Sequence, residues 1–241
     1  VKLGLTDPYE LVRGIGSLEA YQTVALPAPS ATVSWQDKVQ EWPVALNNAL
    51  GDCTIAGWVH ALEVQAAEVG ETCAYPGDPA VEKTYYGLTG GPDSGLLLST
   101  VIGAASTRGL FGHRLNGAAM IHPHNVTALK QTIDFWGCAY VGVTLPQSAE
   151  QQFADQQPWT VDQFSSIAGG HCILHVGYDA DYIYSVTWGS VVRIAWSWWR
   201  AYGTQAFALV PDYFTAANHG PTASLNLAAM KSDLAVLARE A

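Results

Sequence analysis

Positive charge is scarce in this sequence of 241 residues: 11 Lys and Arg face 21 Asp and Glu, for a net charge of −10. Nucleic-acid binding needs a basic stripe, and so few cations do not supply one. Long apolar runs are missing too. None reaches the ~18 residues of a membrane span, and the first residues lack the basic-then-apolar layout of a secretory signal, so the chain as given reads as soluble and without a membrane partner. Residue 1 is Val, which points to a trimmed or processed product. An export signal or inhibitory leader upstream therefore stays open, and the compartment with it. Cysteine is sparse: Cys53, Cys73, Cys138 and Cys172 show no CxxC zinc spacing and are too few for a disulfide scaffold. At least one is expected to serve chemistry. A Cys73–Cys138 bridge is left open, since spacing does not say whether two sulfurs meet. Internal repeats and low-complexity segments are absent, and nothing in the sequence fixes the oligomeric state.

What is present is core-forming material. Hydrophobic residues make up 49% of the chain and charged ones 13%, enough for one large domain or two tightly joined lobes. Residues 1–45 show no helical period and carry Pro27, Pro29 and Pro43, which predicts an extended strap across the body. At Cys53 the pattern changes. Ile55, Trp58, Val59, Leu62, Ala66 and Val69 repeat at three and four, Asp52 stands where an N-cap belongs, and Gly70 follows, so an amphipathic helix opens at the cysteine. A Gly/Pro/Asp-rich stretch (residues 87–95) leads to a second helix over Leu97, Leu98, Val101, Ile102 and Ala105, stopped at Gly109. Asn125 caps a third, with Leu129, Ile133 and Trp136 on one face and Gly137 as its stop. The period then falls to two over residues 139–144, with further strands expected over 172–178, 182–188 and 205–210. From Pro221 onward, Leu227, Met230, Leu234 and Leu237 mark a C-terminal amphipathic helix that docks on the body.

Cys53 sits where the free N–H groups and positive end of a helix favour thiolate over thiol, which is what a nucleophile needs. Taken alone it reads equally well as a small core residue. A partner is offered by His171, which enters an apolar strand directly after Gly169-Gly170 and would be held rigidly as a base. His60 follows Cys53 by two helical turns, about 10 Å of rise, too far for proton transfer, and reads as packed. His122-Pro123-His124 has half of a metal set with nothing to complete it, and reads as a loop. Cys172 and His175 are expected on opposite faces of their strand, and the Trp196–Tyr202 cluster reads as core-sealing rather than as a recognition platform. Asn125-Val126-Thr127 matches the glycosylation triplet, which has meaning only on a eukaryotic secretory route.

The two segments together resemble the papain-like cysteine peptidases in order and context. Asn47-Asn48-Ala49-Leu50-Gly51-Asp52-Cys53 is similar to the family's nucleophile segment, in which a glutamine six residues before the cysteine helps form the oxyanion hole; Asn47 holds that place. His171 to Tyr178, ending in Val-Gly-Tyr, resembles the histidine strand, and Trp188-Gly189 the Trp-Gly after the third catalytic residue. Residues 35–213 can be laid onto the family's order of elements, and the Gly-Asp-Cys and Thr-Trp-Gly variants resemble uncharacterised members from bacteria and phages. The family usually carries Asn where this chain has Val186, which cannot accept the imidazole's second proton. Thr187 offers a hydroxyl for that role; Ser185 and a backbone carbonyl are the alternatives. Thr54 replaces the usual Trp after the nucleophile, Leu50 replaces a half-cystine, and residues 196–200 form an apparent insertion.

The resemblance implies an α+β, two-lobed papain-like fold: a helical lobe over residues 43–113, an antiparallel β-barrel-like lobe over 114–215, a strap over 1–42 and a helix over 221–241. It implies acyl transfer from a peptide or protein substrate, with Cys53 as nucleophile, His171 as base, Asn47 at the oxyanion and Thr187 orienting the histidine. No cofactor or metal is required. A cell-wall peptide amidase and a catalytically impaired protein of the same fold are the alternatives.

Overall fold

The computed structural model describes residues 2–216 and 223–240. The strap, residues 2–45, contains a short helix α1 (Leu18–Tyr21), a two-residue strand β1 (Val33–Ser34) and a 3₁₀ turn (Trp35–Lys38). Three helices follow: α2 (Cys53–Glu68), α3 (Asp78–Thr89) and α4 (Leu98–Thr107). Then come β2 (Leu115–Met120), α5 (Val126–Trp136), β3 (Ala139–Pro146), α6 (Gln147–Ala154), β4 (Ile167–Tyr178), β5 (Tyr182–Thr187), β6 (Ser190–Ala195), α7 (Trp196–Tyr202), β7 (Gly203–Pro211), α8 (Asp212–Ala216) and α9 (Leu227–Glu240). Pro221, expected near the start of the last helix, lies outside the described residues. Among them, no helix is long and apolar enough to cross a membrane.

The strands form one antiparallel sheet in the order β2-β7-β3-β4-β5-β6, with β1 added beside β4. Every residue of β3 is buried, because helices cover both faces of the sheet there. Tyr140 shows how a polar tip is accommodated: its hydroxyl donates to the Thr54 carbonyl of α2 at 2.7 Å.

Helix α2 is more buried than its amphipathic pattern implies: only Glu63, Ala67 and Glu68 escape full burial. It is wedged between the 3₁₀ turn, α4 and the sheet. Gln65 braces it by donating to the Trp136 and Leu209 carbonyls at 2.9 and 3.0 Å. At α5 the expected cap is present: Asn125 Oδ1 accepts from the Ala128 N–H, and Gly137 ends the helix with φ of 77°. Helix α3 has no counterpart in the sequence reading, because it buries only Val81 and Tyr85, too thin a stripe to register as a period. Helix α9 docks on α4 and β2 through Met230, Leu234 and Leu237. Trp198 and Trp199 of α7 are buried, as a core-sealing role requires. The four cysteines are free thiols, so the Cys73–Cys138 bridge does not form.

Candidate active site

Packing of α2 against β4 brings Cys53 to the backbone of Cys172, the residue after His171. Gly57, one turn after Cys53, permits the approach: a Cβ there would meet Tyr140 at 2.9 Å and Cys172 Sγ at 3.0 Å. The first turn of α2 therefore presses on β4, and the Cys172 N–H donates to Cys53 Sγ at 3.3 Å. His171, the preceding residue, is buried, and its ring stacks on Trp188 with centroids 4.6 Å apart and planes 23° from parallel. Nε2 of His171 lies 2.7 Å from Thr187 Oγ1, whereas Nδ1 has no hydrogen-bond partner. Between the alternatives for contacting the imidazole, the fold selects Thr187. Ser185 is occupied by His175 Nδ1 at 2.6 Å, and Val186 pairs in register with Leu174. Trp188 is held at φ 48°, an uncommon conformation for a bulky residue, by its contacts with His171, Phe153 and Trp159.

Asn47 follows a tight turn in which Ala45 and Leu46 both have positive φ, and it is buried. Its amide donates to Asp52 Oδ1 at 3.3 Å and the Leu50 carbonyl at 3.4 Å. Asp52 occupies the N-cap position of α2, but its side chain makes no capping bond, contrary to the sequence expectation. The reason is that it faces Asn47 instead.

Residues 2–6 of the strap run beside the segment that precedes α2, with the Gly4 backbone reaching Cys53, which no sequence pattern announced. Leu5 runs parallel to Leu96. The Leu96 N–H donates to the Gly4 carbonyl at 2.8 Å, the Thr6 N–H to the Leu96 carbonyl at 3.2 Å, and the Leu5 N–H to the Gly170 carbonyl at 3.2 Å. Trp188 Nε1 donates to the Lys2 carbonyl at 3.4 Å, and Lys2 pairs with Asp93. The approach demands glycine at two points. A Cβ on Gly4 would lie 1.8 Å from the Gly51 carbonyl oxygen, and one on Gly170 would lie 2.3 Å from that of Leu5. Leu5 is buried, its Cδ2 against Gly142 beside Leu98. These glycines are visible in the sequence, but what crosses them is not.

Under this cover the electrostatics run opposite to the sequence expectation for the nucleophile. Burial pushes the Cys53 thiol up to about 12, against the hydrogen bond from the Cys172 N–H, and burial pulls His171 down to about 3. A helix N-terminus supplies ~0.3–1 kcal/mol, occasionally ~2, whereas full desolvation moves a pKa by up to ~3–5 units. Desolvation wins, and the pair rests as thiol and neutral imidazole.

The other residues singled out by sequence lie elsewhere. His60 is buried, with Nε2 2.7 Å from the Pro43 carbonyl and its ring edge-on to Trp42. His122 and His124 lie in a loop with rings 5.5 Å apart, and no group of three or more metal-ligating side chains occurs among the described residues. Cys172 faces α2, while His175 turns to Ser185 and Trp199.

The sequence matches no family model and no curated protein. Solved structures do match in shape. Xylellain, a cysteine protease from Xylella fastidiosa, superposes with a TM-score of 0.64 at 11% identity, covering 87% of this chain and 98% of its own. Procathepsin L2 proteinase from the larval midgut of Tenebrio molitor gives 0.61 at 15% identity, covering 86% and 77%. The Carica candamarcensis cysteine protease CMS1MS2, solved with E-64, gives 0.53 at 13% identity, covering 75% and 98%. What such identities share is architecture, and in architecture this chain has the two-lobed, papain-like fold of those cysteine proteases.

Proposed function

We propose that this chain is a papain-like cysteine hydrolase of peptide or related amide bonds, with Cys53 as nucleophile and His171 as base. The observation that carries the reading is the convergence of a cysteine at the head of α2, a histidine on the neighbouring strand, and a hydroxyl on that histidine's far nitrogen. With Nε2–H donating to Thr187, Nδ1 is the basic nitrogen free to take the Cys53 proton. The thiolate attacks the substrate carbonyl carbon; a C–S bond forms and the carbonyl electron pair moves to oxygen. Asn47 and the Cys53 N–H stabilise that oxyanion. Collapse re-forms the carbonyl and breaks the C–N bond as His171 protonates the leaving amine. Water, deprotonated by His171, then splits the thioester and restores Cys53.

With residues 2–6 in the cleft the site is latent, since the strap takes the backbone contacts of Leu96 and Gly170 and excludes the water that a thiolate–imidazolium pair needs. Latency, rather than a lost activity, accounts for the raised Cys53 and lowered His171. The test is labelling with iodoacetamide and with E-64 at pH 6, in the full chain and in Leu5→Ala, which loosens the strap. One equivalent of label on Cys53, absent in Cys53→Ala and slowed in His171→Ala, with turnover of a peptide library, is the expected result. A Cys53 that reacts no faster than free cysteine in Leu5→Ala, with no peptide turned over, would instead identify a catalytically impaired protein.

A further inference from the structure

Asp52 stands directly before the nucleophile, and its side chain is not used as the helix position dictates. The Asp52 backbone carbonyl accepts from the third and fourth N–H groups of α2, those of Ile55 and Ala56, at 2.8 and 3.0 Å. The carboxyl turns to Asn47, accepting from its amide through Oδ1, while Oδ2 is buried without a hydrogen-bond partner. Both residues are buried, at 0% and 2% exposure, so water does not compete for either group.

An amide in an oxyanion hole contributes only if its N–H is aimed before the reaction begins, and a short asparagine on a tight turn needs an outside hold to keep that aim. From this contact we infer that Asp52 is a positioning residue, acting through Asn47, and that its charge adjusts both the hold on that amide and the ease of forming negative charge at Cys53. The inference rests on the reading of Asn47 as oxyanion donor.

The surroundings give the charge a direction. Burial first, and then the charges of Asp93 and Asp78, push the Asp52 carboxyl up to about 7, while the Asn47 bond pulls it down. Cys53, Tyr75 and Tyr85 are the other titratable groups within its field. Lys2, the cation on this side, is paired to Asp93. An ionised Asp52 raises the Cys53 thiol and opposes an adjacent oxyanion; a protonated one does neither. Activity is therefore expected to fall as pH rises through the titration of Asp52.

The experiment compares the full chain with Asp52→Asn, which keeps an acceptor without charge, and Asp52→Ala, which removes the acceptor, turnover being measured for each in the Leu5→Ala background that loosens the strap. In ¹⁵N-labelled protein, the Asn47 side-chain amide signals, assigned by their loss in Asn47→Ala, are expected to shift with a midpoint near pH 7 and to be flat in Asp52→Asn. In turnover, Asp52→Asn is expected to lose the falling alkaline limb and to exceed wild type about tenfold at pH 8. Asp52→Ala is expected to lose about tenfold in kcat at pH 6 with KM unchanged, a split that a general loss of structure would not give. Asn47 signals that do not move between pH 5 and 9 in wild type, or equal kcat at pH 6 in the Asn and Ala variants, would overturn the inference. If no variant turns substrate over, the hydrolase reading fails, while the amide titration still decides whether Asp52 holds Asn47.

Discussion

Truncating Leu5 to alanine separates the strap from the rest of the fold. Leu5 is 4% exposed and belongs to the hydrophobic core, where its side chain packs against Gly142 beside Leu98. Removing a buried leucine side chain costs ~2–5 kcal/mol, and a strap that can settle toward the gap belongs near the lower end, about 2–2.8 kcal/mol. That loss falls on the closed state alone, since an open strap exposes residue 5 in either variant. With each ~1.4 kcal/mol worth a factor of ten, the open population rises roughly 30- to 100-fold. Iodoacetamide modification of Cys53 reads this population directly, because the covered thiol is held protonated. The measurement belongs in a Cys73→Ser background, since Cys73 is partly exposed while Cys138 and Cys172 are buried. The expected result is a Cys53 modification rate roughly 30- to 100-fold above that of the parent, with unchanged circular dichroism. Gly4→Ala reaches the same state by another route, because its Cβ would sit 1.8 Å from the Gly51 carbonyl oxygen. A less than threefold change in both variants, with the fold intact, would refute the idea that residues 2–6 control access to Cys53.

Two further outcomes follow from the same geometry. Thr187→Val keeps the shape but removes the hydroxyl 2.7 Å from His171 Nε2, and is expected to lower kcat about fivefold with KM unchanged, as a neutral hydrogen bond worth ~1 kcal/mol implies; an unchanged kcat would show that another group orients the ring. Thermal stability is expected to peak on a plateau between about pH 4.5 and 6.5 and to fall on both sides. His60, His171 and His175 are pulled down to about 4, 3 and 3 by burial, so below their ordinary range the unfolded chain binds more protons and stability drops with acid. Asp52, Glu63 and Glu68 are pushed up to about 7, 8 and 9, so above their ordinary range the folded chain binds more protons and stability drops with base. Within the plateau the two groups oppose each other. A melting temperature that rises from pH 6.5 to 9 would contradict the burial of these carboxyls.

Much of the scaffold was legible because it is local. The apolar period after Cys53, the Asn125 cap with Gly137 at the other end of its helix, and the alternation after residue 139 each depend on neighbours a few positions away. Helix α3 and strand β6 escaped because their buried faces are too narrow to show a period. That the cysteine helix would meet the histidine strand was expected from the resemblance to the papain-like peptidases, and the two segments do touch, the Cys172 N–H donating to Cys53 Sγ. Four things were decided by the tertiary structure. Thr187 rather than Ser185 meets His171, because the sheet hands Ser185 to His175. The Asp52 side chain leaves the helix end for Asn47, because the turn at residues 45 and 46 brings the amide within its reach. Residues 2–6 lie in the cleft, held by partners about ninety and one hundred and seventy positions away. Their cover then reverses the acidity expected of Cys53, since desolvation depends on everything that surrounds a group, whereas a helix end is a property of the few residues that form it.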